Sequence, residues 1–310
     1  MKVLVAGSTG LVGSAIYKHF SNVGHEVVGI SSGKVNLLDG QATIAFFKKE
    51  RPQLVIDAAA RVGGIGANNA HPVKFLSENV AIQGNLMMAA HSVGVEKFVF
   101  LGSSCIYPRD CPQPIREEYL MTGPLEATNS AYAVAKIAGI ELVNSYRKEF
   151  GHNWISLMPT NLYGPNDNFN LVNSHVLPAL IRRFIEARKE RLSEVILWGS
   201  GEPRREFLHV NDLARAVDLA TGKYDSTLHL NVGSGYDISI KELALKIGRE
   251  TGFTGEIFWD RSKPDGTQQK LLDIARISAL GWKPSISLDE GIRSTVKWYL
   301  EADAHGKVRK

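Results

Sequence analysis

Apolar residues fall along this chain in two rhythms. Short runs rich in β-branched residues occur at 2–7 (KVLVAG), 25–30 (HEVVGI), 54–59 (LVIDAA), 97–102 (KFVFLG) and 154–159 (WISLMP), and they are apolar nearly throughout. Such runs predict strands covered on both faces, as in a parallel sheet. Between them lie longer stretches with helical spacing, at 11–22, 41–50, 71–93 and 130–150. Strand and helix alternating in this way predict an α/β fold of the Rossmann type, a doubly wound parallel sheet. After about residue 160 the rhythm becomes irregular. The run 161–173, rich in Asn, Gly and Pro, predicts a loop, followed by a helix at 175–190, a strand at 195–199 and a late strand at 228–234 that returns to the sheet. No repeat or low-complexity tract interrupts the pattern, and the polar tail 304–310 predicts a frayed end.

A length of 310 residues favours two interlocked domains. Residues 1–165 form the expected dinucleotide-binding domain, with a return at about 206–235. Residues 166–310 form mainly a smaller C-terminal α/β substrate domain. A content of 44% hydrophobic and 22% charged residues is that of an ordinary soluble protein. The two cysteines, Cys105 and Cys111, provide neither a disulfide framework nor a zinc site, and so no metal is expected; a reducing compartment, the cytoplasm, is expected instead. No apolar run reaches the roughly 18 residues of a membrane span, and the start Met1–Gly7 is too short for a signal peptide. A net charge of +4 is too mild to imply a nucleic-acid partner, and it suits diphosphate ligands.

The first strand runs into Gly7-Ser8-Thr9-Gly10-Leu11-Val12-Gly13 and then a helix. Glycine is required where a chain turns sharply, touches a pyrophosphate and packs a helix closely on a strand. The helix N-terminus offers free N–H groups to the phosphates. The second strand ends in Ile30-Ser31-Ser32-Gly33-Lys34, without the carboxylate that would bond a ribose 2′-hydroxyl. Ser31, Ser32 and Lys34 accept a 2′-phosphate, so NADP(H) is expected over NAD; read alone, Lys34 is also a common solvated loop charge. Asp39 has two open readings, a contact at the adenine end or the cap of the helix near 41.

Tyr132-Ala133-Val134-Ala135-Lys136 places a phenol and an ammonium on one helix face. The ammonium is expected to lower the phenol pKa from about 10, so that Tyr132 exchanges a proton with a carbonyl as hydride moves. Lys136 also has reach to the nicotinamide ribose. Ser103 and Ser104 end the fourth strand, where ligands of open α/β sheets bind, and a serine there hydrogen-bonds the same carbonyl.

With these motifs the chain resembles the extended short-chain dehydrogenase/reductase family over nearly its full length. Further blocks narrow the likeness: Val62-Gly63-Gly64-Ile65, Gly102-Ser103-Ser104-Cys105-Ile106-Tyr107-Pro108, Pro159-Thr160-Asn161-Leu162-Tyr163-Gly164-Pro165, Ser174-His175-Val176, Trp198-Gly199-Ser200-Gly201, Arg205-Glu206-Phe207-Leu208-His209-Val210 and Lys263-Pro264-Asp265-Gly266-Thr267. They resemble the GDP-L-fucose synthase family, which epimerises C3 and C5 of GDP-4-keto-6-deoxy-D-mannose and then reduces C4 with NADPH. The resemblance implies that Cys105 is the base and His175 the acid of the epimerisation. It also implies that Pro159, Asn161, Leu162 and His175 join the cofactor site, and that Arg183, Trp198, Arg205, Asp265 and Lys270 hold the GDP-sugar. It implies a homodimer paired through helices 71–93 and 130–150.

Taken alone, several of these residues have plainer readings: Cys105 as a small buried hydrophobe, Arg182, Arg183 and Arg188 as a solvated helix face, and Trp198 as core. One departure stands out. The family's glycine turn often carries His-Arg for the 2′-phosphate, where this chain has Ser8-Thr9. A related enzyme of GDP-deoxysugars, such as GDP-colitose, would share the motifs. A non-catalytic dinucleotide-binding protein would gain nothing from Ser103, Cys105, Tyr132, Lys136 and His175 together.

Overall fold

The computed structural model describes residues 1–171, 173–263 and 265–310. Val172 and Pro264, which belong to the run 161–173 and to one of the resembling blocks, lie outside the described residues. The first half alternates β1 (Lys2–Ala6), α1 (Leu11–Asn22), β2 (Glu26–Ile30), α2 (Gly40–Glu50), β3 (Leu54–Asp57), α3 (Ile65–Ala70), α4 (Pro72–Ser92), β4 (Lys97–Leu101), α5 (Ser130–Phe150) and β5 (Ile155–Pro159). The second half continues with β6 (Asn161–Tyr163), α6 (Val176–Lys189), β7 (Glu194–Trp198), β8 (Arg204–His209), α7 (Val210–Lys223), β9 (Leu230–Val232), β10 (Asp237–Ser239), α8 (Ile240–Thr251), β11 (Glu256–Asp260), β12 (Gln269–Lys270), α9 (Ala275–Ala279) and α10 (Leu288–Ala304).

Six strands form one sheet in the order β2-β1-β3-β4-β5-β9, every neighbouring pair parallel. Side chains alternate across it, so both faces need cover. Val3, Val5, Leu54, Ile56 and Val99 pack with Ile16 and Phe20 of α1 and Leu213 and Val217 of α7. Leu4, Val55, Phe98 and Phe100 pack on the opposite side with Phe47, Leu86, Met87, Ile140 and Val143 of α2, α4 and α5. This two-sided burial is why the strand sequences are apolar at nearly every position. It is the doubly wound parallel sheet that the sequence predicts, and β9 returns to it from late in the chain. A third core joins Leu180, Ile181 and Phe184 of α6, Leu243 and Ile247 of α8 and Ile292 and Val296 of α10 with Val195 and Leu197 of β7. Among the described residues no helix is long and apolar enough to cross a membrane.

Two sequence expectations need correction. The run 161–173 is not loop throughout, because its first residues form β6, which pairs in parallel with β8 from Asn161↔Phe207 to Tyr163↔His209. The tail does not fray. The Phe169 N–H donates to the Arg309 carbonyl at 2.8 Å, Lys310 pairs with Asp303 at 2.5 Å, and Val308 packs against the third core.

Glu206 of β8 is fully buried and ties three segments together. Its Oε1 accepts from the Gly235 N–H at 2.7 Å and from Ser234 Oγ at 3.4 Å, and its Oε2 accepts from the Leu272 N–H at 3.1 Å. A Cβ on Gly233 would lie 2.3 Å from Glu206 Oε1, so the slot is closed on that side. Glu206→Ala strands these donors in the interior. It should lower the unfolding free energy in urea by about 2–4 kcal/mol; a loss under about 1 kcal/mol would show that this carboxylate does not hold the segments together.

Candidate active site

The site begins where β1 ends. Gly7 has φ +75°, and a Cβ there would lie 2.6 Å from the Ala58 carbonyl oxygen; one on Gly13 would lie 2.1 Å from the Gly7 oxygen. The backbone therefore approaches itself more closely than any side chain permits. Gly10 caps α1 with no side-chain hydrogen bond, which leaves the first-turn N–H groups of Leu11, Val12 and Gly13 available to an anion. A cradle closed to a Cβ at Gly7 and at Gly13, over an uncapped helix start, fits a dinucleotide pyrophosphate. Ser8 is spent on the fold: its N–H and its Oγ both donate to the Ile30 carbonyl, at 2.9 and 3.1 Å. Thr9 is exposed.

Beyond β2, Ser31 is half-buried and Ser32 and Lys34 are exposed. Lys34 Nζ donates to the Gly29 carbonyl at 3.2 Å and lies 5.1 Å from the Phe46 ring centroid, so its ammonium stays beside the end of β2. Asp39 caps α2, accepting from the Ala42 N–H at 3.0 Å. Pro159 ends β5, buried and registered with Val232. Asn161 Nδ2 donates to the Glu206 carbonyl at 2.8 Å, and Leu162 packs against the first core.

The catalytic candidates gather at the end of β4. Gly102 follows it, where a Cβ would lie 2.3 Å from Met158 Sδ. Ser103 then opens a tight turn over Ser104–Ile106, its Oγ accepting from the Cys105 N–H at 3.3 Å. The Ser103 and Cys105 side chains both act on the Tyr132 phenol, the serine drawing its pKa down and the cysteine pushing it up. Lys136, one turn further along α5, is buried. Its Nζ donates to the Leu101 carbonyl at 2.9 Å, 4.8 Å from the Phe100 ring centroid and 6.0 Å from that of Tyr132.

That geometry corrects one expectation. The ammonium is spent on Leu101 and does not lower the phenol pKa. Burial, and then Cys105, hold Tyr132 above its usual value despite the opposing influence of Ser103. The phenol is thus kept protonated, the state in which it donates. Burial pushes Lys136 the other way, below the usual ammonium value, against the pull of Asp57.

His175 caps α6 without making a side-chain cap bond. The residue is exposed overall, and desolvation by the surrounding protein holds its pKa below the usual histidine value. A chain of contacts links it to Tyr132. The Tyr132 ring stands edge-on to Phe75 at 6.3 Å, a Cβ on Gly63 would touch Phe75 at 3.2 Å, and the Gly64 N–H donates to the Asn173 carbonyl at 2.9 Å.

The substrate candidates line the far side. Lys270 Nζ donates to Cys105 Sγ at 3.8 Å. Arg205 is half-buried; desolvation lowers its pKa while Cys105 and Asp265 oppose that. Asp265 accepts from the N–H and the Oγ of Ser200, at 2.9 and 2.6 Å, so its carboxylate pins the turn after β7. Trp198 is 71% exposed, which sets aside its reading as core. Nor do the three arginines form one solvated face. Arg182 pairs with Glu186 at 2.7 Å, Arg183 Nη1 donates to the Ile196 carbonyl at 2.7 Å, and Arg188 donates to the Thr251 carbonyl at 2.8 Å.

A cavity of about 260 Å³ lies between Arg109–Gln113 and Asp265–Gln269, and a smaller recess beside it reaches Cys105, Glu126 and Lys270. Sequence reasoning passed over Gln113, Glu126 and Gln269, which carry no motif. It also passed over Asp57, whose signal was visible as a lone charge in an apolar strand.

The model of the NAD dependent epimerase/dehydratase family matches residues 3–233. The chain is 50% identical over 301 residues to GDP-L-fucose synthase 1 of Arabidopsis thaliana, covering 97% of this chain and 93% of the relative. It is 48% identical over 310 residues to the GDP-L-fucose synthase of Escherichia coli K12, covering 97% of each. The solved structure of a GDP-L-fucose synthetase from Naegleria fowleri bound to NADP superposes with a TM-score of 0.91 at 31% identity, over 100% of this chain and 96% of that one. With a glycine cradle, a Ser103–Tyr132–Lys136 group and these likenesses over nearly its whole length, the chain belongs to the NAD dependent epimerase/dehydratase family.

Proposed function

We propose that the chain converts GDP-4-keto-6-deoxy-D-mannose to GDP-L-fucose by epimerising C3 and C5 and then reducing C4 at the expense of NADPH. The observation that carries this reading is the meeting of Ser103, Cys105 and Tyr132 at the end of β4, with Lys270 and Arg205 facing the thiol. A plain reductase needs the serine and the tyrosine; a thiol beside the same phenol adds a group able to take a carbon-bound proton. The 4-ketone makes the C3 and C5 protons acidic, because the carbanion left behind is an enolate.

Cys105 takes those protons, His175 returns protons to the opposite face, and the Tyr132 and Ser103 hydroxyls stabilise the charge on O4 by hydrogen bonding. Gly7, Gly10 and Gly13 with the start of α1 hold the pyrophosphate of NADPH. Ser31, Ser32 and Lys34 receive its 2′-phosphate, Lys136 bonds its nicotinamide ribose, and Pro159, Asn161 and Leu162 border the nicotinamide end. Bound there, NADPH supplies the hydride for C4. Tyr132, held protonated by its surroundings, gives O4 its proton. Arg183, Arg205 and Lys270 balance the GDP diphosphate, and Trp198 offers a ring to the guanosine.

The enzyme works in the cytoplasm, where Cys105 stays reduced, and as a homodimer. Leu76, Val80 and Met88 leave an exposed apolar line along α4, with Val134 exposed on α5, and two copies of this face cover each other.

Tyr132→Phe should abolish reduction, followed as loss of absorbance at 340 nm, while NADPH binding stays within about threefold; more than about a tenth of wild-type turnover would remove Tyr132 as the donor. Wild type should use NADPH better than NADH, and Lys34→Glu should narrow or invert that preference by repelling the 2′-phosphate. Equal efficiency with both cofactors in wild type would refute the preference. In deuterated water the wild-type product should carry deuterium at C3 and C5. Cys105→Ser should lose that label, since a hydroxyl is a far weaker acid than a thiol, while packing survives the near-isosteric change. Full labelling in this variant would assign the base elsewhere.

A further inference from the structure

Asp57 lies outside every step described so far. It ends β3, the strand between β1 and β4, with Ala6 registered beside it on one side and Phe100 on the other. It is 1% exposed. Its Oδ1 accepts from the Ala59 N–H at 3.1 Å, and its Oδ2 is buried without a hydrogen-bond partner. A carboxylate so enclosed is costly unless another charge compensates it.

The compensating charge comes from α5. Lys136 lies over Phe100, the residue registered with Asp57 on β4, and Asp57 is the charge that opposes the desolvation of its ammonium. The influence is mutual, since Lys136 draws the Asp57 carboxyl down while burial drives it up to about 6. Tyr132 also feels Asp57, after Cys105 and Ser103. The flanking strands β1 and β4 bring apolar groups at Ala6 and Phe100; among the described residues, the titratable groups that interact with Asp57 are Lys136 and Tyr132.

We propose that Asp57 is a positioning residue of the reductive site, a buried counter-ion that keeps Lys136 charged where it reaches both the Leu101 carbonyl and the cofactor. The inference rests on the assignment of Lys136 to the nicotinamide ribose made above. While Asp57 is ionised the ammonium has its partner. When Asp57 gains a proton, or is replaced by a neutral residue, burial alone acts on Lys136 and its charge is lost at lower pH. Oδ1 keeps the turn at Ala59 in place.

The test is Asp57→Asn, which keeps an acceptor for the Ala59 N–H, with NADPH affinity measured by fluorescence from about pH 5 to about pH 9 alongside the turnover profile. Near pH 5 wild type already carries the proton on Asp57, so the two proteins should bind NADPH within about twofold of each other. The difference should open only above about pH 6, where Asp57 ionises in wild type, and widen toward about pH 9 as the variant's Lys136 loses its proton first; a displacement of one pH unit gives at most about tenfold.

In a Lys136→Met background the same substitution should add no further loss, because its effect passes through the ammonium. A ratio constant across the pH range, or an undiminished loss in the Lys136→Met background, would overturn the proposal in favour of a packing role. Asp57→Ser, read in the same way, decides the matter if Asp57→Asn does not fold. Wild type that binds NADPH yet turns over no GDP-ketosugar would defeat the reading of the reaction, while the binding titration would still decide the role of Asp57.

Discussion

The structure depends on how closely the backbone approaches itself between β1 and α1. The Ala58 oxygen leaves no room for a Cβ at Gly7, nor the Gly7 oxygen for one at Gly13. Because the approach is so tight, the start of α1 sits directly over the carboxyl ends of β1 and β3, and its N–H groups have no side chain in front of them. A single methyl here would push the helix off the sheet, and packed interiors do not absorb such a shift locally. The same strand ends carry the catalytic candidates. Ser103 and the Leu101 carbonyl that anchors Lys136 lie at the end of β4, registered through β3 with the turn itself.

The electrostatics follow from a cleft that is open to solvent yet walled by protein. Tyr132, His175 and Arg205 all keep accessible surface, and all are displaced first by desolvation, each toward its neutral form. Opposed charges then correct individual groups: Asp57 acts on Lys136, and Cys105 and Asp265 act on Arg205. Acid and base functions within one small volume are separated by which neighbour each group has.

The first half of the fold was legible because its signal is local. Strands with two cores to fill are apolar at consecutive positions, and Tyr132 and Lys136 are one helical turn apart. The second half was less legible. β8 reads Arg204-Arg205-Glu206-Phe207-Leu208-His209 with no clean alternation, and it exists through distant pairing with β6, β10 and β12. The docking of the tail depends on Phe169, also far along the chain. That Lys136 would anchor on Leu101 rather than on the phenol depends on how α5 crosses β4, which spacing does not encode. Trp198 was readable after all: β7 alternates, with Val195 and Leu197 inward and Glu194, Ile196 and Trp198 outward.

The place of β9 in the principal sheet has a consequence for biosynthesis. The sheet's last strand is supplied by residues 230–232, after α6, β7, β8 and α7 have been made. Until then a nascent chain carries β5 as an unpaired edge, its apolar Ile155, Leu157 and Met158 beside a row of open backbone groups. Such an edge is a template for pairing with the wrong chain, and a contact made across so many residues forms slowly. During translation, the interval between emergence of β5 and arrival of β9 is the stretch in which this chain most needs a chaperone.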